Sequence, residues 1–425
     1  MGWPPMLAAL SLALWLYLLL GRSGFWRACP RIEDETPPEP RSWPPLIAIV
    51  PARNEADHVE TTLRSLLAQD YPGELEVLLV DDHSDDGTGD IARRLPGEGR
   101  HRLRVIEASP LPPRWSGKLW AVAEGLRHGA EVLPDARYAL LTDADVAHAP
   151  ANIARLVVKA EAERLDLTSF MVKLRCAGVW ERLLIPPFLF FFRKLYPFAA
   201  VNDPARPVAA AAGGCMLVRR QALHEAGGIG AIRDRLIDDV ALAQAIKGRH
   251  GGRIWLGLTE TTVSLRGYEN LSGIWNMVAR SADAQLRHSL PFLIATVLGM
   301  ALTYLVPPVA IIAGAAFADW PTLGLGLLAS LCMLVCYLPT VRFYGLGRYW
   351  AFSLPVAALL YIAMTVDSAM RHRRGVGGQW KGRTFASDGG GRCGAWSHNR
   401  LSSIARDQSD LCQPTNCAKF SATSE

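Results

Sequence analysis

Two aspartates one residue apart, Asp143 and Asp145, close the apolar run "YALLTDADV". Alternate residues of a strand face the same side, so both carboxylates reach one ion if the chain stays extended through Ala144. A few hard oxygen ligands, with positions left open for phosphate, suit Mg²⁺ or Mn²⁺ rather than zinc. Such an ion neutralises charge that develops on a departing diphosphate. The competing explanation is a strand-terminal turn whose acids cap the next helix. Other groups carry related chemistry. "VPARNE" sets Pro51, Arg53 and Glu55 after one apolar run, and "LLVDDHSDDGT" sets Asp81 and Asp82 after a second. "IDDVALA" opens a helical stretch with Asp238 and Asp239, where acids also serve as caps and dipole partners. Lys118 in "WSGKLW" offers an ammonium suited to phosphate, or simply faces solvent. Gly213 and Gly214 in "AAAAGGCML" let a substrate approach the backbone, or mark a bend.

The elements needed to position these groups follow a strand–helix rhythm. "LIAIVPA", "LEVLLVDD", "LRVIEAS" and "YALLTDADV" read as strands, and "HVETTLRSLLAQ", "IARRL" and "KLWAVAEGLRHGAEVL" as the helices between them. That alternation predicts a mostly parallel sheet with right-handed crossovers. Ligands of such sheets sit beyond the carboxyl ends of the strands, where the acidic clusters fall.

The 425 residues are 50% hydrophobic and 20% charged with a net charge of +5. This is enough chain for a catalytic domain plus further parts, and the mild, dispersed charge leaves no nucleic-acid footprint. The eight cysteines show no CxxC and no paired histidines nearby, so reduced thiols are expected. Residues 4–21 form an uncharged stretch of the length that spans a bilayer, about 20 residues. A signal peptide would need a charged n-region, so an uncleaved anchor is favoured. Arg22, Arg27 and Arg31 follow it and place the next domain in the cytoplasm by the positive-inside rule. A proline-rich linker occupies residues 22–45. "VWERLLIPPFLFFFRKLYPFAA" is apolar but broken by Pro186 and Pro187; it reads as a helix in the membrane interface or as an ordinary buried helix. Further spans are expected over residues 292–317, 323–341 and 349–366. Three crossings after a cytoplasmic domain would put "RHRRGVGGQWKGR" outside, against the charge rule, so one segment is re-entrant or the count is wrong. Residues 387–425 are expected to be disordered.

"VPARNEADHVETTLRSLLAQDYP", "VLLVDDHSDDGT", "WSGKLWAVAEGL" and "LLTDADV", in this order, resemble family 2 glycosyltransferases over residues 46–286. The resemblance implies the α/β GT-A fold, a Rossmann-like sheet with flanking helices, here joined to N-terminal and C-terminal transmembrane helices. It implies that Pro51, Arg53 and Glu55 border the base and ribose and that Asp82 accepts from the base. It further implies that Lys118 meets phosphate, that Asp143 lies near ribose and metal, and that Asp145 is the firmer ligand of Mg²⁺ or Mn²⁺. Gly213 and Gly214 border the acceptor, and Asp239 is the catalytic base with Asp238 beside it. The family's (Q/R)xxRW motif is missing from "GIWNMVARSADAQLRHS". Arg280 is its best stand-in, ahead of Gln285 and Arg287, and the departure weakens any inference of a processive acceptor channel. The anchor, "IDDVALA", the Arg280 helix and "QWKGR" resemble most the hopene-associated subgroup of bacterial hopanoid biosynthesis. In that subgroup's likeness Trp380, Lys381 and Arg383 fold back near the site, or form an interfacial anchor. The implied organisation is an anchor (4–21), a linker (22–45), a cytosolic glycosyltransferase domain (46–290), transmembrane helices (291–367) and a basic segment with tail (368–425). The implied activity is inverting transfer from a nucleotide-sugar, UDP-linked, to a lipid at a bacterial inner membrane. Ceramide, diacylglycerol and polyprenyl phosphate are alternative acceptors. A membrane scaffold that binds nucleotide-sugar without turnover is the alternative of another class.

Overall fold

The structure is a computed structural model and describes residues 3–95, 100–374, 379–380 and 383–384. Helix α1 (Trp3–Leu16) continues in a π-turn to Gly21. The sheet begins with β1 (Leu46–Ala52), α2 (Val59–Leu67), β2 (Leu75–Asp81), α3 (Thr88–Arg93) and β3 (Arg102–Glu107). Next come α4 (Gly117–Val132), β4 (Tyr138–Thr142), β5 (Val146–His148), α5 (Asn152–Glu163) and β6 (Leu167–Lys173). The domain continues with α6 (Val179–Leu195), α7 (Phe198–Val201), β7 (Cys215–Arg219), α8 (Arg220–Glu225), α9 (Asp238–His250) and β8 (Ile254–Ser264). Helices α10 (Leu271–Gln285), α11 (Leu290–Met300), α12 (Val306–Ala316), α13 (Trp320–Phe343) and α14 (Leu354–Arg373) follow.

Eight strands form one sheet in the order β3-β2-β1-β4-β7-β6-β8-β5. The half that was legible in the sequence, β3-β2-β1-β4, is wholly parallel. The other half is mixed: β7 runs antiparallel to β4 and β6, β6 is parallel to β8, and β5 is antiparallel to β8. All seven residues of β1 and of β2 are buried, as expected where helices cover both faces of a parallel sheet. Helix α4 lies unusually close to it. A Cβ at Gly125 or Gly129 would stand 2.6 Å from Ile49 or Ile47, so these two glycines, one turn apart, form the contact face.

Two sequence expectations change. The run "YALLTDADV" is not one strand: β4 ends at Thr142 and residues 143–145 form a turn before β5. The expectation that Asp143 and Asp145 lie on an extended segment is therefore corrected. Pairing explains the break, because β4 bonds to β7 whereas β5 has crossed to the far edge and bonds to β8. Second, Pro186 and Pro187 do not interrupt α6, which is one helix of 17 residues. Proline removes a helical hydrogen bond, here those that the Arg182 and Leu183 carbonyls would accept, and burial of Leu184, Ile185, Leu189 and Phe190 on both sides holds the helix together. The Tyr361 hydroxyl also donates to the Leu184 carbonyl (2.8 Å).

Five helical segments are long and apolar enough to cross a membrane: Trp3–Gly21, Val179–Val201, Leu290–Ala316, Trp320–Phe343 and Arg348–Arg373. An aromatic core of Trp15, Phe25, Phe190, Tyr304 and Tyr337 ties α1 and α13 to α6. Close to the chain's end Gln379–Trp380 pairs antiparallel with Arg383–Thr384; Lys381 and residues 385–425 lie outside the described residues.

Candidate active site

The carboxyl ends of the strands deliver the acidic groups. At β1 and β2 the chain turns through Asn54 and His83, both in the left-handed region (φ 53° and 54°), a conformation asparagine and histidine tolerate better than most residues. The two loops are laced together. Arg53 Nη1 donates to the carbonyls of Asp82 and His83, and Asp85 N donates to Asn54 Oδ1 (3.1 Å). Glu55 N donates to Thr88 Oγ1 (2.8 Å). Asp81 accepts from Ser84 N (3.1 Å) and is absorbed within its loop. Asp82 is fully buried and faces Arg53 at 3.9 Å, and it is not among the residues that line the cavity described below.

Helix α4 begins at a capped turn in which Leu119 N donates to Ser116 Oγ (3.2 Å). This projects Lys118 into the cleft, where its ammonium lies 2.9 Å from Asp143 and 3.3 Å from Asp238. Burial alone would lower the Lys118 pKa, but Asp143 and Asp238 outweigh it and raise it. Asp143 is itself raised, chiefly by burial against the opposing pull of Lys118. Asp145 pairs elsewhere. Arg266 Nε donates to it at 2.6 Å while Arg266 Nη2 reaches both oxygens of Glu55 at 2.8 Å. The two acids of the DxD segment therefore hold different cations, and neither competing picture is complete: the segment is a turn, but its acids face the cleft.

Asp239 stands at the first turn of α9. Gly213 N donates to its Oδ2 (2.9 Å) and Val240 N to its Oδ1 (2.7 Å). Its pKa is raised to about 6, first by burial and then by Asp238, against the Val240 N–H, Lys118 and the Gly213 N–H. A Cβ at Gly213 would lie 3.4 Å from Asp239 Oδ2 and 3.6 Å from Lys118 Nζ, so this glycine keeps the cleft open. Gly214 has another task. A Cβ there would meet Val172 at 2.7 Å, so it serves packing of β7 on β6.

A cavity of about 1210 Å³ joins these groups, lined by Pro51, Glu55, Lys118, Asp143, Asp145, Gly213, Gly214, Asp238, Asp239 and Arg266. It extends along α6, α10 and α14 past Phe188, Phe191, Met277, Arg280, Gln285 and Tyr361. Of the residues expected from sequence, Arg53 and Asp82 stand outside this lining, and Arg280 stands at its far, apolar part. Arg266 was missed. It follows β8 immediately, and Leu265 N donates to the Asp145 carbonyl (2.7 Å); only the β5–β8 pairing, invisible locally, brings it to the DxD turn. Five carboxylates (Glu55, Asp143, Asp145, Asp238, Asp239) thus share the cleft with the two cations that touch them, Lys118 and Arg266. This oxygen-only, anion-rich set fits a hard divalent ion, with Arg266 filling the place between Glu55 and Asp145.

Comparisons with known proteins agree with this architecture. Over 54 residues the chain is 41% identical to the putative teichuronic acid biosynthesis glycosyltransferase TuaG of Bacillus subtilis, a match covering 12% of this chain and 21% of that protein. The mannosyltransferase PcManGT of Pyrobaculum calidifontis, solved with GDP-Man and Mn²⁺, superposes with a TM-score of 0.50 at 24% identity. That superposition covers 84% of this chain and 99% of the mannosyltransferase, and it speaks for the fold. Residues 47–227 match the family described as Glycosyl transferase family 2, and the mixed sheet with its flanking helices has a GT-A-like fold.

Proposed function

We propose that this chain is an integral membrane, inverting glycosyltransferase that moves a sugar from a nucleotide donor, UDP-linked, to the hydroxyl of a lipid. The observation that carries the reading is Asp239: a carboxylate with a raised pKa at the inner end of a cavity that leads from the acidic cleft to apolar helices. Lys118, Asp143 and the DxD turn bind and orient the donor's diphosphate end. Mg²⁺ or Mn²⁺, held by Asp145 with Asp143, would neutralise charge on the leaving diphosphate. Asp239 takes the proton of the acceptor hydroxyl, for which it must come within about 3 Å. The acceptor oxygen attacks the anomeric carbon, and the carbon–oxygen bond to the diphosphate breaks with its electron pair leaving on the diphosphate. The N–H groups of Gly213 and Val240 keep the carboxylate aimed during this exchange. A hopanoid-type hydroxyl is the acceptor favoured by the sequence resemblance. Arg280, Arg371 and Arg374 in the cavity lining favour, as a second reading, an acceptor with an anionic head such as polyprenyl phosphate.

The test uses membranes that contain the full chain, labelled UDP-sugars and bacterial lipid extracts. Asp239→Asn should reduce lipid labelling about 10³-fold while donor binding persists; unchanged labelling would remove Asp239 from the chemistry.

The same reading places the domain in the cytosol of a bacterial inner membrane. Helix α14 packs lengthwise on the domain's own helices. Leu354 joins the cluster of Phe190 and Val341, and Tyr361 bonds to Leu184. Trp275 Nε1 donates to Asp367 (2.6 Å) and Arg371 to Asn276 (2.8 Å). We read α14 as lying against the domain, so that α1, the α11–α12 pair and α13 cross the bilayer. Arg371, Arg373 and Arg374 then remain on the cytosolic side, in keeping with the charge rule. In a chain whose eight native cysteines are replaced by serine, a thiol introduced by Arg374→Cys should react with an impermeant maleimide in inverted vesicles only. Labelling in intact spheroplasts would reverse the assignment.

A further inference from the structure

Where α10 hands over to α11, three potential metal ligands converge. Asp283, in the last turn of α10, is buried, and its Oδ2 lies 2.6 Å from His288 Nδ1. His288 occupies the following turn. Both Arg287 and His288 are left-handed there, with φ of 54° and 55°. Two consecutive non-glycine residues in that region cost backbone energy and persist only where surrounding contacts hold them. The contact held is with the end of α14: the imidazoles of His288 and His372 stack with centroids 3.8 Å apart and planes 17° from parallel. One ligand atom from each of Asp283, His288 and His372 lies within 4.8 Å of the others. The frame beneath them is fixed, since Asp283 N donates to Ser368 Oγ (3.0 Å) and Ser368 Oγ to the Ala279 carbonyl. The neighbouring Arg371 is turned away and neutralised by Asp367 at 2.8 Å.

From this convergence of a buried carboxylate and two solvent-accessible imidazoles we propose a second metal site, Asp283–His288–His372, that takes a borderline ion, Zn²⁺ for preference. Two neutral imidazoles and a carboxylate are a donor set that zinc binds with a fourth position left to water. The oxygen-only cleft around Asp145 has the opposite preference, so the two sites sort different metals. On binding, the ion takes the place of the hydrogen between His288 Nδ1 and Asp283: a neutral ring keeps that hydrogen by moving it to Nε2, and an imidazolium releases it to solvent and keeps its Nε2–H. The lone pairs of the two stacked rings run nearly parallel, so ligation of one ion requires His372, exposed at its helix end, to swing out of the stack. Its consequence is mechanical: the ion cross-links α10 to α14, the helices that supply Arg280, Gln285, Arg371 and Arg374 to the cavity wall. The site stands independently of the acceptor assigned above.

The experiment is a Zn²⁺ titration of the full, tag-free chain, stripped of metal, in competition with a chromogenic chelator. Co²⁺ serves as a spectroscopic substitute. One equivalent is expected in the unaltered chain and in Asp145→Ala. His288→Ala and His372→Gln should bind at least tenfold more weakly and lose the visible Co²⁺ bands of a four-coordinate site. His372 is exposed at a helix end, so His372→Gln should retain the circular dichroism of the folded chain. Stoichiometric binding that survives both histidine substitutions, or is lost in Asp145→Ala alone, would overturn the proposal. Wild-type binding no tighter than that of the two variants would do the same, leaving only a His–Asp hydrogen bond with a stacked neighbour.

Discussion

The two ends of the cavity are built on different physics. At the donor end every acidic side chain in the cleft has a named partner: Asp143 and Asp238 hold Lys118, Asp145 and Glu55 hold Arg266, and Asp239 accepts two backbone N–H groups. The proposed acceptor end is shaped by Phe188, Phe191, Met277, Met300 and Tyr361, with exposed arginine beside them. Electrostatic positioning fixes one end to within hydrogen-bond tolerance. Apolar packing gives the other a shape that tolerates variation, since dispersion contacts are non-directional. Chemistry at an anomeric carbon needs the first kind of precision, and the proposed lipid acceptor would need only the second. Substitutions at the donor end should therefore act steeply, and those at the acceptor end mildly.

The steepest break in that contrast is expected at the Asp145–Arg266 pair. Asp145→Ala removes one of two carboxylates around the proposed ion, and calorimetry should find Mn²⁺-dependent UDP-sugar binding abolished. Binding identical with and without Mn²⁺ would end the metal role. Arg266→Ala acts in the other direction on the same ion. It leaves Glu55 and Asp145 facing each other without their cation, which should lower the melting temperature of the metal-free chain by a few degrees, an effect of about 1 kcal/mol for a partly exposed pair. Because a ligand that binds only the folded state stabilises it, Mn²⁺ should raise the melting temperature more in Arg266→Ala than in the unaltered chain, where the ion must displace the guanidinium. An equal rise in both would mean that ion and Arg266 do not compete.

A gentler change follows from pH. As the proposed base, Asp239 would have to be ionised to accept a proton, and its pKa is raised to about 6. Activity should fall about tenfold per unit as pH drops below that value. Stability runs the opposite way. A carboxyl whose folded pKa exceeds its ordinary value of 3.8 favours the folded state while protonated, and that contribution disappears as pH rises through the interval up to about 6. Activity and stability measured across this interval should therefore diverge, and an acid limb centred near pH 4 would show that the active base is an unperturbed carboxylate.

How much of this was legible in the sequence depended on whether local pattern or distant pairing decided the structure. β1 and β2 announce themselves because every residue is apolar or buried by neighbours on both faces, and the acids after them mark the strand ends. The DxD turn misled because its chain leaves β4 for the opposite edge of the sheet, a choice made by β8 more than a hundred residues later. Arg266 was hidden for the same reason. Helix α6 misled through intrinsic propensity: two adjacent prolines read as a break, but burial of Leu184, Ile185, Leu189 and Phe190 on both sides of them holds the helix together. Composition located the apolar helices well, yet it could not separate α14, which packs along α6 and α10, from helices that pair with one another.

The smallest effect belongs to Arg280. It is exposed on α10 where that helix faces the cavity, and it feels the hydroxyl of Tyr268, whose pKa burial raises and Arg280 opposes. Surface substitutions of this kind change stability by no more than about 0.5 kcal/mol, so Arg280→Ala should melt like the unaltered chain and bind UDP-sugar equally. Only transfer to lipid should slow, by about 3- to 10-fold, the scale of one lost charge-assisted contact in a wet cavity. Comparison of a neutral hydroxyl lipid with a phosphate-headed lipid sharpens the result. A loss confined to the phosphate-headed lipid places an anionic acceptor at the arginines, equal loss on both makes Arg280 a general wall residue, and wild-type rates on both remove it from the site.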